Sequence, residues 1–216
     1  MDRTVKGTIA VILAALIVFV AVLGSYLPLR KSQMFIGVLN NLAVQPPTSI
    51  QDLETRAAAP LDYYAPIGQE ELVRNTANNV LGFIQHGTDA TTTRDLVSFL
   101  NGYYDPILNS GKGMSFGQDL YLEGAVNELA FVQTGDPTYL QAAIKYYSEG
   151  HALGPNRPQP LYGLFDVFRA MGDIKDAQAV GEAILANWPS DTRVVASLEQ
   201  LLAPTSSAKS AKAKTK

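Results

Sequence analysis

Residues 8–29 read TIAVILAALIVFVAVLGSYLPL, 22 positions without one charged side chain. At about 1.5 Å of rise per residue, a helix of that length crosses a hydrocarbon core of roughly 30 Å. Lipid offers no partners to backbone amides, so a single spanning segment must satisfy them internally, as a helix does. The other fate for such a run is a cleaved signal peptide. Arg3 and Lys6 form a basic leader, and Val22-Leu23-Gly24 places small residues before Ser25. The apolar run continues past that point to Leu29, which favours an anchor. Arg30 and Lys31 after the span match Arg3 and Lys6 before it, so charge sets orientation only weakly. A short N-terminal tail ahead of a long C-terminal part favours a single-pass arrangement in a bacterial inner membrane, with the soluble domain outside the cytoplasm. Signal-peptide cleavage would make the domain secreted instead.

The chain has no cysteine, which removes a lipoprotein anchor, disulfides, thiolate metal sites and cysteine nucleophiles together. Apolar residues make up 47% of the sequence, enough to bury a core. The formal charge of -3 conceals a division, because residues 32–203 hold 9 basic and 19 acidic side chains, a balance of -10. A surface of that sign repels phosphate backbones, so nucleic acid is not an expected partner.

Residues 30–67 contain Pro46, Pro47, Pro60 and Pro66. Residues before proline avoid the helical region, so this stretch reads as a linker with one short helix near residues 49–58. From Gly68 onward the apolar residues fall at helical spacing, as in Leu72, Val73, Ala77, Val80, Leu81 and Ile84. No long stretch alternates with period two. The spacing predicts an all-α domain over residues 68–203, with helices near 68–86, 92–108, 116–133, 138–152, 160–171, 174–187 and 192–202. Residues 1–7 are a short tail. Residues 204–216 read PTSSAKSAKAKTK, a low-complexity basic tail expected to be disordered.

Within the helical part Ala143, Tyr147 and Pro155 recur as Ala177, Gly181 and Pro189 after a shift of 34 residues. Gly135-Asp136 and Gly172-Asp173 mark two turns between helices. Residues 158–191 resemble the tetratricopeptide repeat family. Leu161, Leu164, Phe165 and Phe168 stand where the family has its tryptophan, leucine-glycine pair and tyrosine. Ala177 is the small residue at the helix contact, and Pro189 closes the unit. Phe165 replaces a glycine and Gly181 an aromatic, so bulk has moved from the second helix to the first. Residues 124–157 match more loosely, with a turn near residues 135–139 about three residues longer than usual for the family. The resemblance covers residues 116–202 and implies an α-solenoid of helix pairs, with residues 192–202 as a capping helix. It also implies a concave groove that takes a protein or peptide partner without a cofactor.

A second resemblance rests on order: an apolar span, then Met34-Phe35-Ile36-Gly37-Val38-Leu39, then Ala59-Pro60-Leu61-Asp62-Tyr63-Tyr64-Ala65-Pro66-Ile67-Gly68, then helical repeats. Residues 8–90 look like the tail after the last membrane helix of bacterial O-antigen ligase or polymerase-like proteins. This implies the alternative role of an accessory subunit or detached tail in an envelope-polysaccharide system.

Catalytic patterns are sparse. His86 and His151 fall on different expected helices, with no paired-histidine spacing to build a metal site. Gly111-Lys112-Gly113-Met114-Ser115 resembles a phosphate loop, but Pro106 stands where the first glycine belongs and no strand precedes it, so a flexible turn is expected. Nucleophilic serine chemistry needs a strand-turn-helix elbow of the Gly-x-Ser-x-Gly kind, and none of the 17 glycines is expected to frame a serine that way. Glu70-Glu71 suits a helix dipole and Asp191 or Thr192 a helix cap. In the pairs Tyr63-Tyr64, Tyr103-Tyr104 and Tyr146-Tyr147, one ring should be core and the other surface. No catalytic, cofactor-binding or metal-binding residue is expected. The expected contact face is Gln159, Tyr162, Asp166 and Arg169, which helical spacing puts opposite Leu161, Leu164, Phe165 and Phe168. A surface ion pair between Asp166 and Arg169 is the plainer reading of the last two.

Overall fold

The structure is a computed structural model and describes residues 2–203. The basic tail 204–216 lies outside the described residues. Every regular element among them is helical: α1 (Arg3–Ala21), a π-helical turn (Val22–Tyr26), α2 (Leu27–Val44), α3 (Ile50–Asp62), α4 (Gln69–Gln85), α5 (Ala90–Ser110), α6 (Phe116–Thr134), α7 (Pro137–Leu153), α8 (Pro158–Met171), α9 (Ile174–Asn187) and α10 (Thr192–Leu202).

From α1 through α2 the chain forms one uninterrupted helix of 42 residues, long and apolar enough to cross a membrane, whose apolar window is not buried against the rest of the protein. Val11 and Ile17, for example, stand exposed. Pro28 has no N–H to offer the ladder. The preceding turn widens to accommodate it, with the Leu27 N–H donating to the Val22 carbonyl five residues back.

Past the span the structure departs from the expected linker. The helix does not stop at the Arg30-Lys31 pair but runs on to Val44, where Pro46 and Pro47 end it. α3 follows, with the Ser49 hydroxyl accepting from Asp52 N, and continues through a buried Pro60 to Asp62. A proline near a C-terminus costs one ladder bond, and burial of its ring offsets part of that. α3 packs on α2, so residues 30–67 are mostly ordered helix. Lys31 is the latch. It is only 2% exposed and donates from Nζ to the carbonyls of Tyr63 (2.7 Å) and Leu61 (3.3 Å) and to Gln69 Oε1. Burial pulls its pKa below the ordinary lysine value, against the pull of nearby Asp62.

The seven helices expected from residue 68 onward are all present, with ends within two residues. Aspartates start many of them. Asp89, Asp136, Asp173 and Asp191 each accept from backbone amides of the following first turn, which satisfies donors that have no partner inside the helix. Glycines at φ 68° (Gly135) and 70° (Gly172) close α6 and α8, where a Cβ would be strained. The turn after α6 is not lengthened. The three extra residues lie inside α7, which Asp136 and Pro137 start early, so the turns recur at 37 residues while Ala143 and Ala177 recur at 34.

Each helix packs on the next, and α3 also touches α5, α4 touches α6, and α6 touches α8. No comparable contact joins α5 to α7 or α7 to α9 among the described residues. From α4 to α8, the even-numbered helices therefore share one side. The core divides accordingly. Leu61, Val73, Ile84, Leu100 and Tyr104 fill the first part, Ala143, Tyr147, Leu164 and Val167 the middle, and Leu161, Phe165, Ala177, Ile184 and Val194 the last. Tyr104 and Tyr147 are the buried members of their pairs. The exchange between Phe165 and Gly181 is visible in the packing, since a Cβ on Gly181 would lie 3.0 Å from Phe165 Cε2 and 2.9 Å from Leu198 Cδ2. The large ring on α8 occupies the space left open on α9.

Candidate functional site

Leu161, Leu164 and Phe165 turn one side of α8 into the core and Phe168 is half-buried, which leaves Gln159, Tyr162 and Asp166 on the other side. These three line a groove of about 530 Å³ whose walls include Leu81 and Gln85 from α4, Tyr121, Glu128 and Val132 from α6, and Arg193 from α10. The common side of α4, α6 and α8 thus forms its floor. Arg169 does not line the groove. It sits exposed at the rim, with Nη1 3.2 Å from Asp166 Oδ1 and its guanidinium 5.4 Å from the centre of the Phe165 ring.

The polar groups in the groove hold one another. The Tyr162 hydroxyl donates to Asp191 Oδ2, which also caps α10 by accepting at Oδ1 from Arg193 and Val194 amides. That bond raises the Tyr162 phenol above its ordinary pKa and, from the other side, lowers that of Asp191. Arg193 lies with its guanidinium 5.0 Å from the Tyr162 ring centre and Nη1 3.7 Å from Asp166 Oδ2. Asp166 is thus flanked by two cations. Behind Tyr162, Trp188 packs its ring 6.1 Å away. Across the groove, Tyr147 donates its hydroxyl to Glu128 Oε2 at 2.8 Å, and burial holds the Glu128 carboxyl above its usual value. An array of rings, carboxylates and guanidinium groups at this spacing can grip a peptide by stacking and charge-assisted hydrogen bonds.

Arg193 was not among the residues singled out from the sequence. The signal was present, because the 34-residue shift puts Arg193 in register with Gln159. Glu128 carried no such signal. Tyr121, Pro158 and Gln159 also border an adjoining cavity of about 580 Å³, where the first turns of α6 and α8 meet beside Arg157.

Elsewhere the chemistry is less developed. Contrary to the expectation that no serine is framed by glycines, Gly113-Met114-Ser115-Phe116-Gly117 has the glycine-serine-glycine spacing of a nucleophile elbow. The structure puts Ser115 at the start of α6 after a glycine loop, with no strand before it, and no histidine or carboxylate hydrogen-bonds its hydroxyl among the described residues. No cluster of three or more histidine, aspartate or glutamate side chains suited to a metal occurs among them. Asp119 and Glu123 are buried on α6 near Arg74, whose Nη1 is 3.6 Å from Asp119 Oδ1. Burial, with Glu70 close by, pushes the Asp119 carboxyl up to about 7, and burial beside Asp105 and Asp119 pushes Glu123 up to about 8. Neither lines the groove. An apolar crevice of about 260 Å³ lies between α2, α3, α4 and α5, with Glu54 as the only charged wall residue among the described residues.

No family model, no curated protein and no solved structure matches the chain.

Proposed function

We propose that the protein is a membrane-tethered helical-repeat scaffold of the tetratricopeptide type, which holds a protein or peptide partner in the groove floored by α4, α6 and α8. The observation that carries this reading is the contact scheme. α4 touches α6 and α6 touches α8, while among the described residues α5 makes no comparable contact with α7 nor α7 with α9, and the polar side of α8 faces the resulting groove. Stacked helix pairs curve in this way and use the inner side for binding. The 34-residue recurrence, the Phe165–Gly181 exchange and the apolar helix of 42 residues agree with it. We place the soluble part outside the cytoplasm of a bacterial cell, at the envelope. Its acidic balance favours a partner with a basic segment. Binding uses no cofactor and no catalysis. The carboxylates and guanidinium groups gathered around Tyr162 favour a peptide partner over an accessory role in polysaccharide assembly.

The test is capture of the partner from membranes of the producing cells by the full chain, crosslinked before solubilisation. Asp166→Lys places a third cation between Arg169 and Arg193, and it should abolish capture while Trp188 emission and helicity stay unchanged. Undiminished capture by that variant would move the binding surface elsewhere.

A further inference from the structure

The loop between α3 and α4, residues 63–68, reads Tyr-Tyr-Ala-Pro-Ile-Gly and carries no charge. Tyr64 is 70% exposed and Ile67 59% exposed, an aromatic and a β-branched side chain left in the open on one short loop. An isolated exposed apolar residue needs no explanation. Here the position of the loop supplies one. Lys31 holds it through the carbonyls of Leu61 and Tyr63, and Lys31 is only two residues beyond Leu29, where the uncharged run ends. Two residues of helix rise about 3 Å. The headgroup layer on one side of a bilayer is about 5–8 Å deep, from the difference between its full and hydrocarbon thickness. A lysine side chain spans a similar distance, so the loop is tied at the level of the headgroups whenever residues 8–29 span the membrane.

The surrounding charges suit that level. Arg30 is exposed beside Lys31 and free to meet lipid phosphate. The nearest acids are engaged within the protein. Asp62 accepts from the Tyr103 hydroxyl at 2.9 Å, and Glu70 and Glu71 both pair with Arg74. Tyr26, 60% exposed on the last turn of the apolar run, adds a second tyrosine near the same boundary. Tyrosines gather at membrane interfaces because the ring is apolar and the hydroxyl is not.

We propose that loop 63–68 is a second membrane contact, with Tyr64 and Ile67 seated in the lipid headgroup layer and held there by Lys31. It rests on the reading of residues 8–29 as a membrane span. With two points of attachment the soluble part cannot swing freely on a single helix, and the groove keeps a fixed direction relative to the bilayer.

The cysteine-free chain allows a clean test. Leu16→Cys, Tyr64→Cys, Ile67→Cys and Leu153→Cys are made singly, each at an exposed position, and labelled with an environment-sensitive fluorophore. The full chain is reconstituted into phosphatidylcholine–phosphatidylglycerol vesicles. Quenching is read with lipids spin-labelled near the headgroup and with aqueous iodide. Positions 64 and 67 should show lipid quenching and loss of iodide quenching, whereas position 153 should show the reverse. If 64 and 67 behave like 153 while 16 is quenched by lipid, the loop contact is overturned and the span stands. If 16 is also open to iodide, the span itself fails, and the loop contact with it.

Discussion

The ring of Tyr147 on α7 lies between two glycines, Gly124 on α6 and Gly163 on α8, and its hydroxyl is fixed by Glu128 at 2.8 Å. A Cβ on Gly124 would fall 2.5 Å from ring carbon Cδ1, and a Cβ on Gly163 would press on the same ring from the side of Cζ. Ordinary carbon contacts lie near 3.5–4 Å. Gly163→Ala therefore requires the ring to move by about 1 Å, toward a glycine with no room to give. Overpacking of this kind costs roughly 1–3 kcal/mol, against about 1 kcal/mol that alanine gains over glycine within a helix. The net effect is destabilisation by up to about 2 kcal/mol. Gly102→Ala, inside α5 with no atom within 4 Å of the added carbon, keeps only the gain and should stabilise by about 0.5–1 kcal/mol. The assay is thermal unfolding of the full chain in detergent micelles, followed by helicity at 222 nm. At roughly 2–8 °C per kcal/mol, the two variants should shift the midpoint in opposite directions. Tyr147→Leu should relieve Gly163→Ala in a double-mutant cycle. Equal stabilisation by both alanines would refute the picture of a clamped ring.

Stability should depend on pH through Asp119 and Glu123. Their carboxyls are raised in the folded chain to about 7 and about 8, so the fold keeps protons that the unfolded chain releases near pH 4. Stability is then greatest below that release and falls as pH rises toward 8; urea midpoints should be higher at pH 5.5 than at pH 8, and Asp119→Asn with Glu123→Gln should flatten the difference. A midpoint that rises with pH would contradict this assignment. Asp191→Ala removes the cap of α10 and the acceptor of Tyr162 at once, so hydrogen exchange should speed up at Arg193 and Val194, and Trp188, the single tryptophan, should become more open to iodide. Unchanged protection at those amides would show that packing of Val194 and Leu198 alone holds the helix.

Much of the helical framework was legible because period and caps agree. Apolar residues at helical spacing marked the buried sides, while aspartates and glycines marked starts and stops within two residues. The polar side of α8 was legible for the same reason, since Leu161, Leu164 and Phe165 could only be core. What escaped depends on pairing across distance. The extra residues of α7 hide inside a helix, where no turn residue announces them. α2 passes through Arg30 and Lys31 because Lys31 finds carbonyl partners some thirty residues later, and no local pattern encodes those. Arg193 joins the site through its place over Tyr162, which only the register of α10 could have suggested.

A partner seated in the groove of α4, α6 and α8 must lie within reach of Gln159. A photo-crosslinking amino acid at Gln159, exposed in the groove, and at Lys175, exposed on α9, tests it in membranes of the producing cells. Position 159 should give a discrete crosslinked protein and position 175 none. Adducts from 175 alone, or none from either position, would contradict it.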